Sequence, residues 1–179
     1  MNECTITLMQ DKKRSNYFTD TICNAFREVA LSRNYRLQPP SASQKANHVD
    51  FVMLGQSKNK ATISVTVDVK GFPPKSSDKW TWIELKNAKG RAGWVYQEAD
   101  FIAFERRNDF LIVSRKKLVN WLNTTPKVKF DLPSVNKPWQ AKYRLYSRPE
   151  KKEIITQILS QDLLDIPETQ IWPKLKESS

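Results

Sequence analysis

Two short stretches place a lysine two residues after a carboxylate, inside runs of apolar and β-branched residues. TVDVKG contains Asp68 and Lys70, and WTWIELKN contains Glu84 and Lys86. In a strand, residues i and i+2 project from the same face, so each carboxylate would lie beside its ammonium group. This pairing suits hydrolysis of a phosphodiester. The carboxylate can hold Mg²⁺, and the lysine can position the attacking water or stabilise charge on the phosphate.

A single carboxylate is too little to hold the metal, so a second one has to come from a neighbouring strand. Asp50 in HVDFVML is placed to supply it. An acid inside an apolar run such as SVTVDVK carries a desolvation cost that metal binding would offset. The same triplet recurs at positions 11–13 and 150–152, and ion pairs on a solvated strand face explain the spacing equally well. The catalytic interpretation therefore depends on the consecutive strands, not on the triplet.

The elements that would position these residues follow from hydrophobic periodicity. Residues 16–33 place apolar side chains four apart, which predicts an amphipathic helix that ends near Asn34. NYRLQPP predicts a short extended piece and SASQKANH a polar loop. Three runs with strand character follow, at residues 49–54, 61–70 and 80–85.

The second half of the chain predicts fewer regular elements. Residues 93–100 favour a short helix, DFIAFE and DFLIVS favour two strands around the turn RRND, and KKLVNWL favours a helix. AKYRLYS has strand character. Residues 153–164 have helical spacing, whereas their isoleucines also allow a strand. Together these patterns predict an α/β fold with extra C-terminal strands or a helix.

The order of helix, short strand, serine-containing loop, strand with Asp and strand with acid-x-Lys resembles the PD-(D/E)XK nuclease superfamily. The stretch NYRLQPPSASQKANHVDFVML…ISVTVDVKG is most similar to its Holliday-junction-resolvase-like branch. The resemblance covers roughly residues 17–115. It implies a restriction-endonuclease-like αβββαβ core with a mixed central sheet. We therefore expect one nuclease-like domain over residues 1–179, with its core at about 16–115 and a basic C-terminal elaboration over 116–179.

The resemblance also implies an activity, that of a magnesium-dependent endodeoxyribonuclease, with Mn²⁺ as an alternative ion. Asp50 and Asp68 would bind the metal, and Lys70 would act on the nucleophilic water. Glu84 would be a further metal ligand or an orienting group. Small nucleases of this branch often act as dimers, because cutting both strands takes two sites, so a homodimer is expected.

The match to the family pattern has two departures. Val49 stands where the family has a proline before the first aspartate. The helical acid of the branch has no direct counterpart, and Asp20 and Glu28 are the candidates.

Two alignments of the strands remain open. In the first, Asp50 and Asp68-x-Lys70 form the site and WTWIEL is an added strand. In the second, Asp68 is the first acid and Glu84-x-Lys86 is the acid-x-Lys motif, followed directly by the helix near residue 93. We prefer the first, because the loop and strand lengths after the first helix fit it better, and Asp68 is a ligand in both.

Several residues would contact DNA phosphates. Gly90 and Gly93 would let the backbone approach a phosphate closely. Trp94 and Tyr96 would either fill the core or stack on bases. The predicted contacts are Lys86, Lys89, Arg91, Gln97, Arg115, Lys116 and Lys117.

The charge balance favours a polyanionic partner. The chain has 30 Lys and Arg against 19 Asp and Glu, a net charge of +11, and such a surface suits nucleic acid. Basic and aromatic residues alternate after residue 114, which would suit the same partner. The alternative function is a non-catalytic nucleic-acid-binding protein on the same fold.

Other classes are disfavoured by composition. With one histidine and two cysteines, the chain has too few ligands for a classical zinc site, and any His-based triad would have to use His48. Cys4 and Cys23 are expected to be free thiols. There is no apolar run of about 20 residues that could cross a membrane. The segment MNECTITLMQDKKR has no signal-peptide apolar region, so we expect a cytoplasmic protein that does not bind membranes.

Overall fold

The computed structural model of the protein describes residues 20–57, 59–71, 78–147 and 150–175. The described helices are α1 (20–32), α2 (Ala42–Ala46) and α3 (Arg115–Thr124), with 3₁₀ helices at Trp94–Tyr96, Pro138–Gln140 and Ser160–Asp165. The strands are β1 (Arg36–Gln38), β2 (Phe51–Gln56), β3 (Thr62–Lys70), β4 (Trp80–Lys86), β5 (Phe101–Glu105), β6 (Asp109–Ser114), β7 (Tyr146–Ser147), β8 (Ile154–Leu159) and β9 (Gln170–Pro173).

Six of these strands form a mixed sheet in the order β1-β2-β3-β5-β6-β9. Strands β3 and β5 are parallel, and every other neighbouring pair in this sheet is antiparallel. The parallel pair requires a long crossover, and the chain uses it to insert β4 and the Trp94–Tyr96 turn. Strand β4 joins a second, three-stranded sheet in the order β4-β8-β7.

The main sheet is covered on both faces. Helix α1 packs on one face through Ile22, Phe26, Val29 and Ala30, all at most 5% exposed. Phe26 lies in an aromatic cluster, with its ring centroid 5.5–6.0 Å from those of Phe51, Phe110 and Trp172. The opposite face of β5 and β6 packs against the second sheet and α3. The buried residues of that layer include Ile83, Leu85, Ile102, Phe104, Leu111, Leu118 and Leu122.

The predicted elements before residue 125 are found with small shifts, apart from one loop. The described part of the predicted first helix is helical and ends in a turn at residues 33–34. The segment SASQKANH, predicted as a loop, contains α2. Ser41 and Gln44 form a reciprocal capping box there, which stabilises a single helical turn without any buried residue.

The C-terminal third contributes strands to both sheets. Strand β8 occupies the first half of residues 153–164 and pairs with β4, and a 3₁₀ helix follows it. AKYRLYS forms a strand only at β7, and the rest makes isolated bridges. Strand β9 was not predicted, yet it completes the main sheet beside β6. The mixed α/β architecture expected from the sequence is thus observed.

The aromatic cluster makes a test of this packing. Phe26 is fully buried, so Phe26→Ala should lower the free energy of unfolding by about 3–5 kcal/mol through lost burial and a cavity. Leu31→Ala on the same helix is the control, because Leu31 is 52% exposed and its loss should cost about 0.5 kcal/mol or less. Urea unfolding of both variants measures the difference. Equal effects would contradict the packing of α1 on the sheet.

Candidate active site

Asp50 lies where the ladder between β2 and β3 ends. The last backbone bond of the pair is donated by Asp50 N–H to the Val67 carbonyl, at 2.8 Å. Beyond this bond, the Asp50 side chain takes the place of a β2 backbone acceptor. Its Oδ2 accepts from Val69 N–H of β3 at 2.7 Å. This bond holds the Asp50 side chain against β3, next to the segment that carries Asp68.

Asp68 is buried on the same side, with 2% of its surface exposed. Its Oδ1 forms an ion pair with Lys70 Nζ at 2.8 Å. Its Oδ2 is buried and accepts no hydrogen bond from any residue that the structure describes. Burial raises the pKa of the Asp68 carboxyl to about 7; Lys70 opposes this shift and Asp50 adds to it. Keeping a carboxylate charged in this environment costs free energy, because burial removes it from water.

Lys70 is held between Asp68 and an indole ring. Its Nζ lies 5.0 Å from the ring centroid of Trp94, at cation–π distance. Trp94 is 9% exposed and packs edge-on against Phe104, so it fills the core, one of its two predicted roles. Its backbone N–H donates to Glu84 Oε1 at 3.1 Å.

Gly93 allows this close approach. A Cβ at position 93 would lie 2.2 Å from the Glu84 carbonyl oxygen. The glycine therefore lets the Trp94 turn lie directly on β4. The Gly93 N–H also donates to the Leu85 carbonyl of β4 at 2.9 Å.

Asp50, Asp68 and Lys70, three of the four predicted catalytic residues, border a cleft of about 420 Å³. Helix α1 contributes Ile22 and Cys23 to its wall, and the α2 region contributes Lys45 and His48. Because residues from or next to α1, α2, β2 and β3 border the cleft, its shape depends on the packing of these two helices and two strands.

Sequence reasoning missed His48 and Lys45 as site residues. His48 also borders a second cavity, of about 390 Å³, shared with Glu84, Lys89 and Arg91. Burial, then Lys70, lowers the pKa of His48, while Glu84 and Asp50 act in the opposite direction. The available signal was that His48 precedes Asp50 by two residues, and it is the only histidine in the chain.

Glu84 is not part of the carboxylate pair. Strand β4 pairs with β8 in the second sheet, and the Glu84 carboxylate accepts from Trp94 N–H. Among the described residues, no three His, Cys, Asp or Glu side chains form a cluster that could hold a metal. Strand β4 lies outside the main sheet.

Of the two candidate helical acids, Asp20 lies one helical turn before Cys23, whose side chain borders the cleft. Burial raises the pKa of the Cys23 thiol to about 11, with further contributions from Asp50 and Asp20, so these carboxylates lie close to that thiol. Glu28 lies eight residues, about 12 Å, further along α1. Cys23 is a free thiol, and Cys4 lies outside the described residues.

The predicted DNA contacts separate into two groups. Three of them are used within the chain: Gln97 Nε2 donates to the Ala92 carbonyl, Arg115 Nε donates to the Ala99 carbonyl, and Lys117 forms a 2.6 Å ion pair with Glu168. The other four are exposed, namely Lys86, Lys89, Arg91 and Lys116.

Lys89 and Arg91 lie in a tight turn that Asn87 closes. Asn87 Oδ1 accepts from the backbone N–H groups of both residues, at 3.0 and 3.1 Å. Gly90 adopts φ +76° in this turn. The cations are therefore presented from a structured loop that borders the His48 cavity.

No protein-family model, curated protein or solved structure matches this chain. In the described ranges, no helix combines the length and the apolar character needed to cross a membrane. The geometry of the cleft is therefore the basis for any statement about function.

Asp68 should make stability depend on pH in metal-free buffer. Its pKa rises from 3.8 to about 7 on folding, so the native state binds its proton more tightly than the unfolded state. This group therefore lowers the free energy of unfolding as pH rises through that window. Asp68→Asn removes the effect, and its melting temperature relative to wild type should be higher at pH 8 than at pH 5.

The exposed Asp131 provides the control. Asp131→Asn should shift the melting temperature by a similar small amount at both pH values. If the Asp68→Asn difference were the same at pH 5 and pH 8, the carboxyl would not be titrating in the folded protein as its burial requires.

Proposed function

We propose that the protein is a metal-dependent DNA endonuclease that hydrolyses phosphodiester bonds. The observation that supports this most directly is the convergence of Asp50, Asp68 and Lys70 at one end of the β2–β3 ladder. Two carboxylates and an ammonium group beside an open cleft are the groups that such a reaction needs.

The residues present fit a magnesium or manganese ion. Oδ2 of Asp68 is a buried oxygen without a hydrogen-bond donor among the described residues, and the Asp50 carboxylate lies beside it. Mg²⁺ prefers hard oxygen ligands and keeps several waters, so two carboxylates are a sufficient protein contribution. The bound ion would lower the pKa of a coordinated water and neutralise charge on the phosphate.

Lys70 would act on the reacting groups. Its ammonium is anchored by Asp68 on one side and by the Trp94 ring on the other, which fixes its position at the cleft. From there it can hold the attacking water by a hydrogen bond, or stabilise negative charge that develops on the phosphate oxygens. His48 and Lys45 on the wall would contact the substrate.

A specific feature favours catalysis over binding alone. A protein that only binds DNA gains nothing from a carboxylate that faces the phosphates, and burial of Asp68 makes that carboxylate costly. The net charge of +11 suits both functions. The exposed Lys86, Lys89 and Arg91, close to the His48 cavity, could direct the DNA backbone toward the cleft.

Nicking of supercoiled plasmid tests the activity. Wild type should nick in Mg²⁺ or Mn²⁺ and not in EDTA, and Asp50→Ala, Asp68→Ala and Lys70→Ala should each lose ~100-fold or more in rate, as loss of one transition-state contact does. Lys151→Ala, an exposed residue outside the cleft, is the control and should keep wild-type activity. DNA binding by wild type with no cleavage in either metal would favour the non-catalytic alternative.

Metal binding can be measured without substrate. An ion that binds only the folded state stabilises it by about 2.7 kcal/mol at 100 times its dissociation constant, which for a chain of this size raises the melting temperature by roughly 5–10 °C. Wild type should show this rise with Mg²⁺ or Mn²⁺, and Asp68→Asn should not. A rise of equal size in both proteins would place the ion somewhere else.

A further inference from the structure

Another cavity, distinct from the cleft and from the His48 cavity, lies at the far end of β2 and β3 from the cleft. Its volume is about 380 Å³, and it is lined by the chain around Arg33, Tyr35 and Arg36 together with Gln56 and Thr62. These side chains supply guanidinium, amide and hydroxyl donors. None of the described residues that line the cavity has a carboxylate.

The segment that carries both arginines is fixed by the end of α1. Asn34 adopts φ +64°, with Tyr35 N–H donating to the Ala30 carbonyl and Asn34 N–H to the Leu31 carbonyl. These are the two bonds of a Schellman motif, which closes a helix and sets the direction of the following chain. Arg36 then begins β1, paired with Leu54 of β2.

Trp172 fixes two of the lining side chains. The Arg33 guanidinium lies 5.0 Å from its ring centroid, and the Tyr35 ring stacks on it at 5.4 Å. On the Gly55 side, a Cβ at position 55 would lie 2.7 Å from a Tyr35 ring carbon. The tyrosine ring is thus packed between Trp172 and the β2 backbone, so it cannot stack on a base.

No carboxylate of the described residues neutralises the two arginines. Within the described chain, neither Arg33 nor Arg36 forms an ion pair, whereas Lys70, Arg106, Lys117, Lys127 and Lys174 all do. A pair of guanidinium groups in a cavity with neutral donors is suited to a phosphate, which arginine binds in a bidentate manner.

An open strand face joins this cavity to the cleft. Val52, Leu54 and Gln56 project from one face of β2, and Asp50, just before the strand, continues the same alternation. Thr66, Ser64 and Thr62 stand opposite the first three on β3. Among these residues only Asp50 is charged, and none is buried. Six residues of strand separate Asp50 from Gln56, roughly 20 Å.

We propose that the Arg33–Arg36 cavity binds a backbone phosphate of the DNA substrate, remote from the scissile one. The inference rests on the proposed function for the identity of the substrate. At 3.4 Å per nucleotide along one strand, roughly 20 Å corresponds to about six nucleotides. The contact would fix the register of the DNA on the strand face without reading its sequence.

The salt dependence of binding tests this site. Each neutralised phosphate contributes about 0.9 to the slope of log K against log salt, so Arg33→Gln/Arg36→Gln, which removes one phosphate contact, should reduce the slope by about 0.9. The measurement uses a 30-base-pair duplex (an illustrative length of about three helical turns) and fluorescence anisotropy. Asp68→Asn serves as the background, so that the DNA stays intact.

The matched control removes the same amount of charge elsewhere. Lys127→Gln/Lys174→Gln also lowers the net charge by two, but both cations already pair with carboxylates. Its slope should stay close to that of the background. Arg33→Lys/Arg36→Lys keeps both charges and should restore most of the slope, which separates loss of a phosphate contact from loss of packing on Trp172.

The outcomes distinguish this inference from the proposed function. If the arginine-to-glutamine variant keeps the slope and affinity of the background, the phosphate site is refuted, even when the wild-type protein nicks plasmid. If the slope falls as expected while the wild-type protein does not cleave in Mg²⁺ or Mn²⁺, the phosphate site stands and the endonuclease proposal fails. A slope that falls equally in the lysine control would also refute a specific site.

Discussion

The hydrogen bond from Val69 N–H to the Asp50 carboxylate connects the architecture to the chemistry of this chain. It forms where β2 leaves β3, and it keeps the carboxyl groups of Asp50 and Asp68 side by side. Lys70 reduces the repulsion between the two carboxylates by forming an ion pair with Asp68, and the Trp94 ring contacts the Lys70 ammonium group. The second sheet positions that indole, since Trp94 follows β4 in the chain and its turn packs on β4 through Gly93.

Much of the fold could be predicted from local patterns. The runs in β2, β3, β5 and β6 are rich in β-branched and aromatic residues, and such strands form wherever a sheet can bury them. The failures have a common cause. Strand β9 and the choice of strand over helix in β8 depend on partners that are distant in sequence, namely β6 and β4. Helix α2 was missed because its stability comes from capping, not from an apolar face.

The candidate site was predictable to the extent that it is local in sequence. Asp68 and Lys70 share a strand face, and Asp50 directly precedes the neighbouring strand, so their spacing predicts that the three lie close together. Glu84 was harder to place because its strand pairs with β8, which no local pattern indicates. The same holds for His48 and for the arginine cavity, which a left-handed turn and a ring from the last described strand create.

Trp172 has a consequence for how the molecule is made. Its ring is parallel to that of Phe26 at 6.0 Å, although 146 residues separate them in the sequence (172 minus 26). The first helix therefore completes its core only after β9 has been synthesised and has docked beside β6. Native contacts this distant slow folding and leave apolar surface open while the chain emerges. A nascent chain would thus acquire its cleft late, close to the end of translation of this region.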